Sequence, residues 1–163
     1  MVKTKIAHES FQIEKTYNHT PELVFSAWAS TEAKSHWFIG PRDWVLIKRE
    51  LDFKVGGREI LHGNFGGTLE TLFTAHFHDI IKNERIVFDY DMHMNGKILS
   101  SSIASIEIEE IGPKKTRLIF TEQVAFLDGT PGEQGVLSRK NGTMEHLVKI
   151  EAFLNKQEEG KLS

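Results

Sequence analysis

The feature that most constrains this chain is the stretch Ser138–Gln157. Leu147, Ile150 and Leu154 recur there at helical spacing, His146 and Phe153 flank them, and Thr143 lies one turn earlier. Met144, Val148 and Ala152 fall to one side, while Glu145, Lys149, Glu151, Asn155 and Lys156 make the remainder polar. An apolar stripe this strong cannot be left in water. Most of what precedes it alternates like strands, so the helix is expected to lie on a sheet that curls round it and leaves an internal cavity.

Taken in order, Phe11 and Ile13 alternate with polar neighbours and mark a first strand near Ser10–Tyr17. Thr20-Pro21-Glu22 supplies an N-cap, a first-turn proline and an acidic residue at the positive helix end. A short helix follows, with Leu23, Val24, Ala27 and Trp28 inward. Ser30-Thr31-Glu32 opens a second short helix that ends near Trp37-Phe38, before Gly40-Pro41. Strands are then expected at Trp44–Phe53, Arg58–His62, Leu69–Ile81, Arg85–Met92, Ile98–Ile111 and Thr116–Ala125. Their turns fall at Gly56-Gly57, Asn64–Thr68, Lys82–Glu84, Asn95-Gly96 and Gly112–Lys114. Asp128–Gly135, with three glycines and a proline, is expected to be a loop. Short turns make consecutive strands antiparallel. The predicted class is α+β: a curved antiparallel sheet of about seven strands round a long C-terminal helix, with two short helices after the first strand. All 163 residues are expected to form one domain with its core at about 10–157.

Period two assigns the faces. Ile86, Phe88, Tyr90 and Met92 share one face; Ala104, Ile106 and Ile108 share another; Leu118 and Phe120 lead on to Glu122. Glu122 is the odd member of an apolar row. It is either a wet, salt-bridged strand end or a polar anchor inside a cavity. His76 and His78 share a face with Thr74 and Ile80, and Phe73, Ala75 and Phe77 take the other; the pattern alone does not say which is inward. Two histidines at that spacing are half of a metal site, but no third ligand stands at diagnostic spacing, so no metal is expected. His146 on the helix stripe is either a core residue with one hydrogen bond or, with Tyr90 and Glu122, a polar group converging on an apolar pocket. Arg49, Glu50, Asp52, Lys54, Arg58 and Glu59 straddle a hairpin as a mostly solvated face, with Arg58 the candidate for the cavity mouth.

Other classes are excluded or unsupported. The formal net charge is −3 and the Lys and Arg residues are scattered, so neither nucleic acid nor an anionic membrane is an expected partner. There is no cysteine, which removes disulfides and thiolate chemistry. The start, with Lys3, Lys5 and Glu9, does not resemble a signal peptide, and no stretch approaches the ~20 apolar residues that span a bilayer. A cytoplasmic location is expected. No nucleophile elbow, phosphate loop, dinucleotide fingerprint or zinc helix occurs, and no cofactor is expected.

Several motifs together resemble a known family. Asp52-Phe53-Lys54-Val55-Gly56-Gly57-Arg58 is similar to the hairpin of the activator of heat-shock-protein-90 ATPase homologue-like family, with Lys54 where that hairpin usually has arginine. Glu84-Arg85-Ile86-Val87-Phe88, Thr121–Gly129, the Trp37-Phe38 to Gly40-Pro41 segment and the closing helix fit the same pattern, over about Phe11–Leu154. The resemblance implies the START-like (SRPBCC) helix-grip fold with a hydrophobic cavity between sheet and helix.

The expected function is binding of an apolar or aromatic small molecule. The walls would come from Phe88, Tyr90, Ile106, Phe120, Leu147 and Ile150, with Glu122 and His146 orienting its polar end and Arg58 at the mouth. Two alternatives stand beside it: a co-chaperone-like domain with a chaperone partner, and a cyclase- or hydrolase-type enzyme using Glu122 or His146 as acid–base. A homodimer through the outer sheet face or an edge strand is left open.

Overall fold

The computed structural model describes residues 5–162; residues 1–4, which include the Lys3 of the charged start, and residue 163 lie outside them. The elements are β1 (Ala7–Tyr17), α1 (Pro21–Ser26), α2 (Thr31–Trp37), β2 (Trp44–Leu51), β3 (Arg58–Phe65), β4 (Leu69–Ile81), β5 (Arg85–Met94), β6 (Lys97–Gly112), β7 (Lys115–Phe126) and α3 (Gly132–Leu162). The strands form one curved antiparallel sheet in the order β1-β7-β6-β5-β4-β3-β2. β2 through β7 are a meander, and β1 closes onto β7. The chain must therefore cross from one sheet edge to the other between β1 and β2, and α1 and α2 make that crossing.

Local chemistry sets the helix starts. Thr20 accepts from the Leu23 N–H at 3.3 Å with Pro21 in the first turn, and Ser30 accepts from the Ala33 N–H at 3.1 Å. Trp37 donates its indole N–H to the Ala27 carbonyl at 2.8 Å, which locks α2 onto the end of α1.

The α3 stripe is buried as its spacing requires. Leu147, Ile150 and Leu154 are fully inaccessible and Phe153 nearly so, each side chain worth about 1.5–3 kcal/mol of burial. Tyr17 at the end of β1 donates its hydroxyl to the Leu147 carbonyl at 2.8 Å, tying helix to sheet. The row left unassigned in β4 is settled: Phe73, Ala75 and Phe77 are buried, and His76 and His78 are exposed on the outer face, both against Asp89. No group of three metal-ligating side chains forms among the described residues.

Three expectations need correction. Gly132–Gly135 is helix rather than loop. A β-carbon at Gly132 would lie 2.3 Å from Glu9 Oε1, and one at Gly135 2.9 Å from the Phe126 ring, so these glycines mark close packing of a helix start against the sheet. β3 runs on through Asn64 and Phe65, and the turn contracts to Gly66-Gly67-Thr68, with the two glycines at φ values of 56° and 77° that suit them. β2 stops at Leu51, and Phe53 leaves the strand to pack its ring edge-on to Phe25 and Phe77. No helix of the described residues is long and apolar enough to cross a membrane.

Candidate functional site

Between the concave sheet face, α3 and the α1–α2 crossing lies a pocket of about 570 Å³. The sheet contributes Leu61, Phe73, Phe88, Tyr90, Met92, Phe120 and Phe126. The helix contributes Arg139, Gly142, Thr143, His146 and Leu147, and the crossing and its exit contribute Trp28, Lys34, Trp37, Phe38 and Trp44. The rings interlock: Phe38 stands edge-on to Phe73 at 4.9 Å, and Phe73 lies 4.9 Å from Tyr90. Trp44 fits because Gly40 and Gly63 have no side chain; a β-carbon at either would fall within 2.3 Å of its indole.

Of the residues singled out from sequence, Phe88, Tyr90, Phe120, His146 and Leu147 line this pocket. Ile106 and Ile150 are fully buried core residues away from its surface. Arg58 does not reach it. Its side chain is 64% exposed, with Nη2 at 3.9 Å from Glu50 on the hairpin's solvated side. Its strand neighbour Glu59 alternates inward instead and is 2% exposed. The charged hairpin is mostly a solvated face, as its alternation implies, but it delivers Glu59 and part of Arg49 to the interior.

Glu122 is completely buried, on the strand's inward row rather than at a wet end. Tyr90 donates its hydroxyl to it, with the two carboxylate oxygens at 2.8 and 2.7 Å, and Ser102 donates at 2.8 Å. Arg139 Nη1 donates to Glu122 at 3.0 Å and to the Tyr90 hydroxyl oxygen at 2.8 Å, and its Nη2 donates to Ser100 at 2.6 Å. Desolvation pushes the Glu122 pKa up, and Arg139 and the hydroxyl donors oppose it. Burial and the neighbouring carboxylate hold the Tyr90 phenol well above its ordinary range. Tyr90 and Arg139 line the pocket and Glu122 does not, so the carboxylate acts through them.

His146 donates Nε2–H to the Ile39 carbonyl at 3.3 Å in the tautomer that this contact requires, and packs against Trp37 and Phe38. Burial pushes its pKa down to about 4, with Lys149 and Lys34 pushing the same way, so the imidazole is neutral at pH 7.

Sequence reasoning missed a second polar group. Lys34 on α2 is buried, and its ammonium donates to Glu59 Oε1 at 3.0 Å. It sits 5.2, 5.0 and 4.8 Å from the ring centres of Trp28, Trp37 and Phe38. Arg49 stands close by and donates from Nη2 to the Phe38 carbonyl at 2.8 Å.

A curved sheet clasping a C-terminal helix over a recess defines the helix-grip class of START-like (SRPBCC) proteins. Within that class the chain belongs to the family described as activator of Hsp90 ATPase homolog 1-like protein, whose sequence model matches residues 18–155. An uncharacterized protein from Rhizobium leguminosarum is 32% identical with a TM-score of 0.86, covering 95% of this chain and 99% of its own. A protein from Rhizobium loti is 34% identical with a TM-score of 0.81, covering 91% and 99%. An AHSA1 protein from Silicibacter pomeroyi shares the fold at 17% identity and a TM-score of 0.74, covering 91% and 99%. Among curated proteins, none matches the chain.

Proposed function

We propose that this protein binds an apolar or aromatic small molecule between its sheet and α3. The observation that carries the reading is the pocket of about 570 Å³, walled largely by aromatic rings. Each Å² of apolar surface a ligand buries there contributes ~25 cal/mol before the costs of association. The Arg139–Glu122–Tyr90 network gives the wall a rigid polar point whose buried groups already have partners. Acid–base catalysis by Glu122 lacks support from this geometry, because Tyr90 and Arg139 stand between the carboxylate and the pocket. The reading is tested by native mass spectrometry of the purified protein, before and after incubation with small aromatic probes. A bound species at one per chain, lost in Leu147→Trp, is the expected result. No uptake of any apolar probe by the folded protein would overturn the reading.

A further inference from the structure

Two buried charged clusters border the pocket, and their charge differs; the other two charged residues on its wall, Glu145 and Lys149, carry one charge of each sign. At one end Arg139 and Glu122 cancel, and the carboxylate, the phenol and the guanidinium all have partners. At the other end Lys34 and Arg49 share the single carboxylate of Glu59, so one positive charge is left over. The hydrogen bonding there is also incomplete. Glu59 Oε2, Arg49 Nε and Nη1, and the indole Nε1 of Trp28 are buried with no partner among the described residues. Trp28 is 6% and Lys34 5% exposed, and both stand on the pocket wall. Buried polar atoms without partners are uncommon, and three of these four are donors, so this end offers more donors than acceptors beside its positive charge.

We infer that the pocket takes a ligand with an aromatic or aliphatic body and a carboxylate head, and that the head sits at the Lys34–Trp28 wall, with Arg49 supplying charge from behind. This rests on the small-molecule reading above and adds the ligand's charge and orientation. A monoanion matches the single surplus charge; a dianionic phosphate would leave a buried negative charge uncompensated. The body would lie along Phe38, Phe73 and Phe88, running toward the Arg139 end, whose polar groups are already satisfied. Burial holds the Lys34 pKa below its ordinary value, Arg49 adds to that and Glu59 opposes it; a ligand carboxylate acts in the same direction as Glu59 and favours the charged ammonium.

Isothermal calorimetry with two matched pairs tests this: 2-naphthoate against 2-naphthamide, and decanoate against decanamide. At least one acid is expected to bind about ten- to a hundredfold tighter than its amide, as befits a charge-assisted hydrogen bond in a buried site. Lys34→Met is expected to remove that advantage, bringing each acid and its amide within about threefold of each other. Because Lys34→Met strands Glu59, the double variant Lys34→Met/Glu59→Gln serves as a second probe and should lose the preference too. Acids that bind no better than amides in both pairs overturn the inference, leaving the donors to ordinary water and the pocket reading intact. A preference that survives both variants overturns it as well. If none of the four compounds binds while other apolar probes are taken up, this inference alone falls; if no probe of any kind is taken up, the small-molecule reading falls with it.

Discussion

Tyr90 holds its hydroxyl 2.8 and 2.7 Å from the two oxygens of Glu122, across the inner face of a largely apolar sheet. Arg139 completes the pair from α3 and is the only counter-charge on that carboxylate among the described residues. Arg139→Met leaves a fully buried carboxylate without compensation and is expected to destabilise the protein by about 3 kcal/mol or more. Urea unfolding measures it, and adding Glu122→Gln should recover a good part of the loss. A change below ~1 kcal/mol in the single variant would mean the pair is not a buried ion pair.

His146 makes stability fall in acid. Its pKa in the folded chain is about 4 against an ordinary 6.5, so between those values the folded form binds fewer protons than the unfolded form. The His146 contribution is complete above pH ~6.5, declines as pH drops through the window and levels off below ~4, amounting to about 3 kcal/mol. Denaturation of wild type and His146→Gln at stepped pH should show a gap that closes by that amount toward pH 4. Parallel curves would contradict it.

Two glycines of α3 predict opposite outcomes. A β-carbon at Gly142 meets nothing within 4 Å, whereas one at Gly135 lies 2.9 Å from the Phe126 ring. Gly142→Ala should therefore raise stability by about 0.5–1 kcal/mol, visible as a higher melting temperature. Gly135→Ala should give no gain, because the ring must shift. Equal effects at the two positions would refute the packing described.

The tie between β1 and α3 is also measurable. Tyr17 is fully buried and its hydroxyl bonds the Leu147 carbonyl. Tyr17→Phe keeps the ring and should lower stability by about 1–2 kcal/mol, since the carbonyl is left buried without that donor. Chemical denaturation that shows no change would place the carbonyl in contact with water.

Much of this was legible beforehand, and the exceptions share a cause. β4 begins and ends at the expected residues because its alternation is bounded by turns on both sides. Glu122 stood out as a charge in an apolar row. Its partner did not, although the same stripe pointed to it: stepping back one turn from Thr143 reaches Arg139, on the face that Leu147 continues. Long basic side chains are usually solvated, and that habit also hid Lys34, which lies three residues before the buried Trp37 on a helix of only seven residues. Arg58 and Glu59 show the same limit from the other side. Alternation fixes that neighbours oppose each other, but in a hairpin rich in both signs it does not say which of the two turns inward. The recess itself follows from sheet curvature and from how far α1 and α2 stand off, neither of which a period can encode.

The chain has three tryptophans, and all three, Trp28, Trp37 and Trp44, belong to the pocket wall. Nearly all the ultraviolet emission of the protein therefore originates beside the recess, with no distant indole to dilute it. Whatever enters should alter the colour or yield of that light directly, and so the protein carries its own gauge of occupancy without any attached dye.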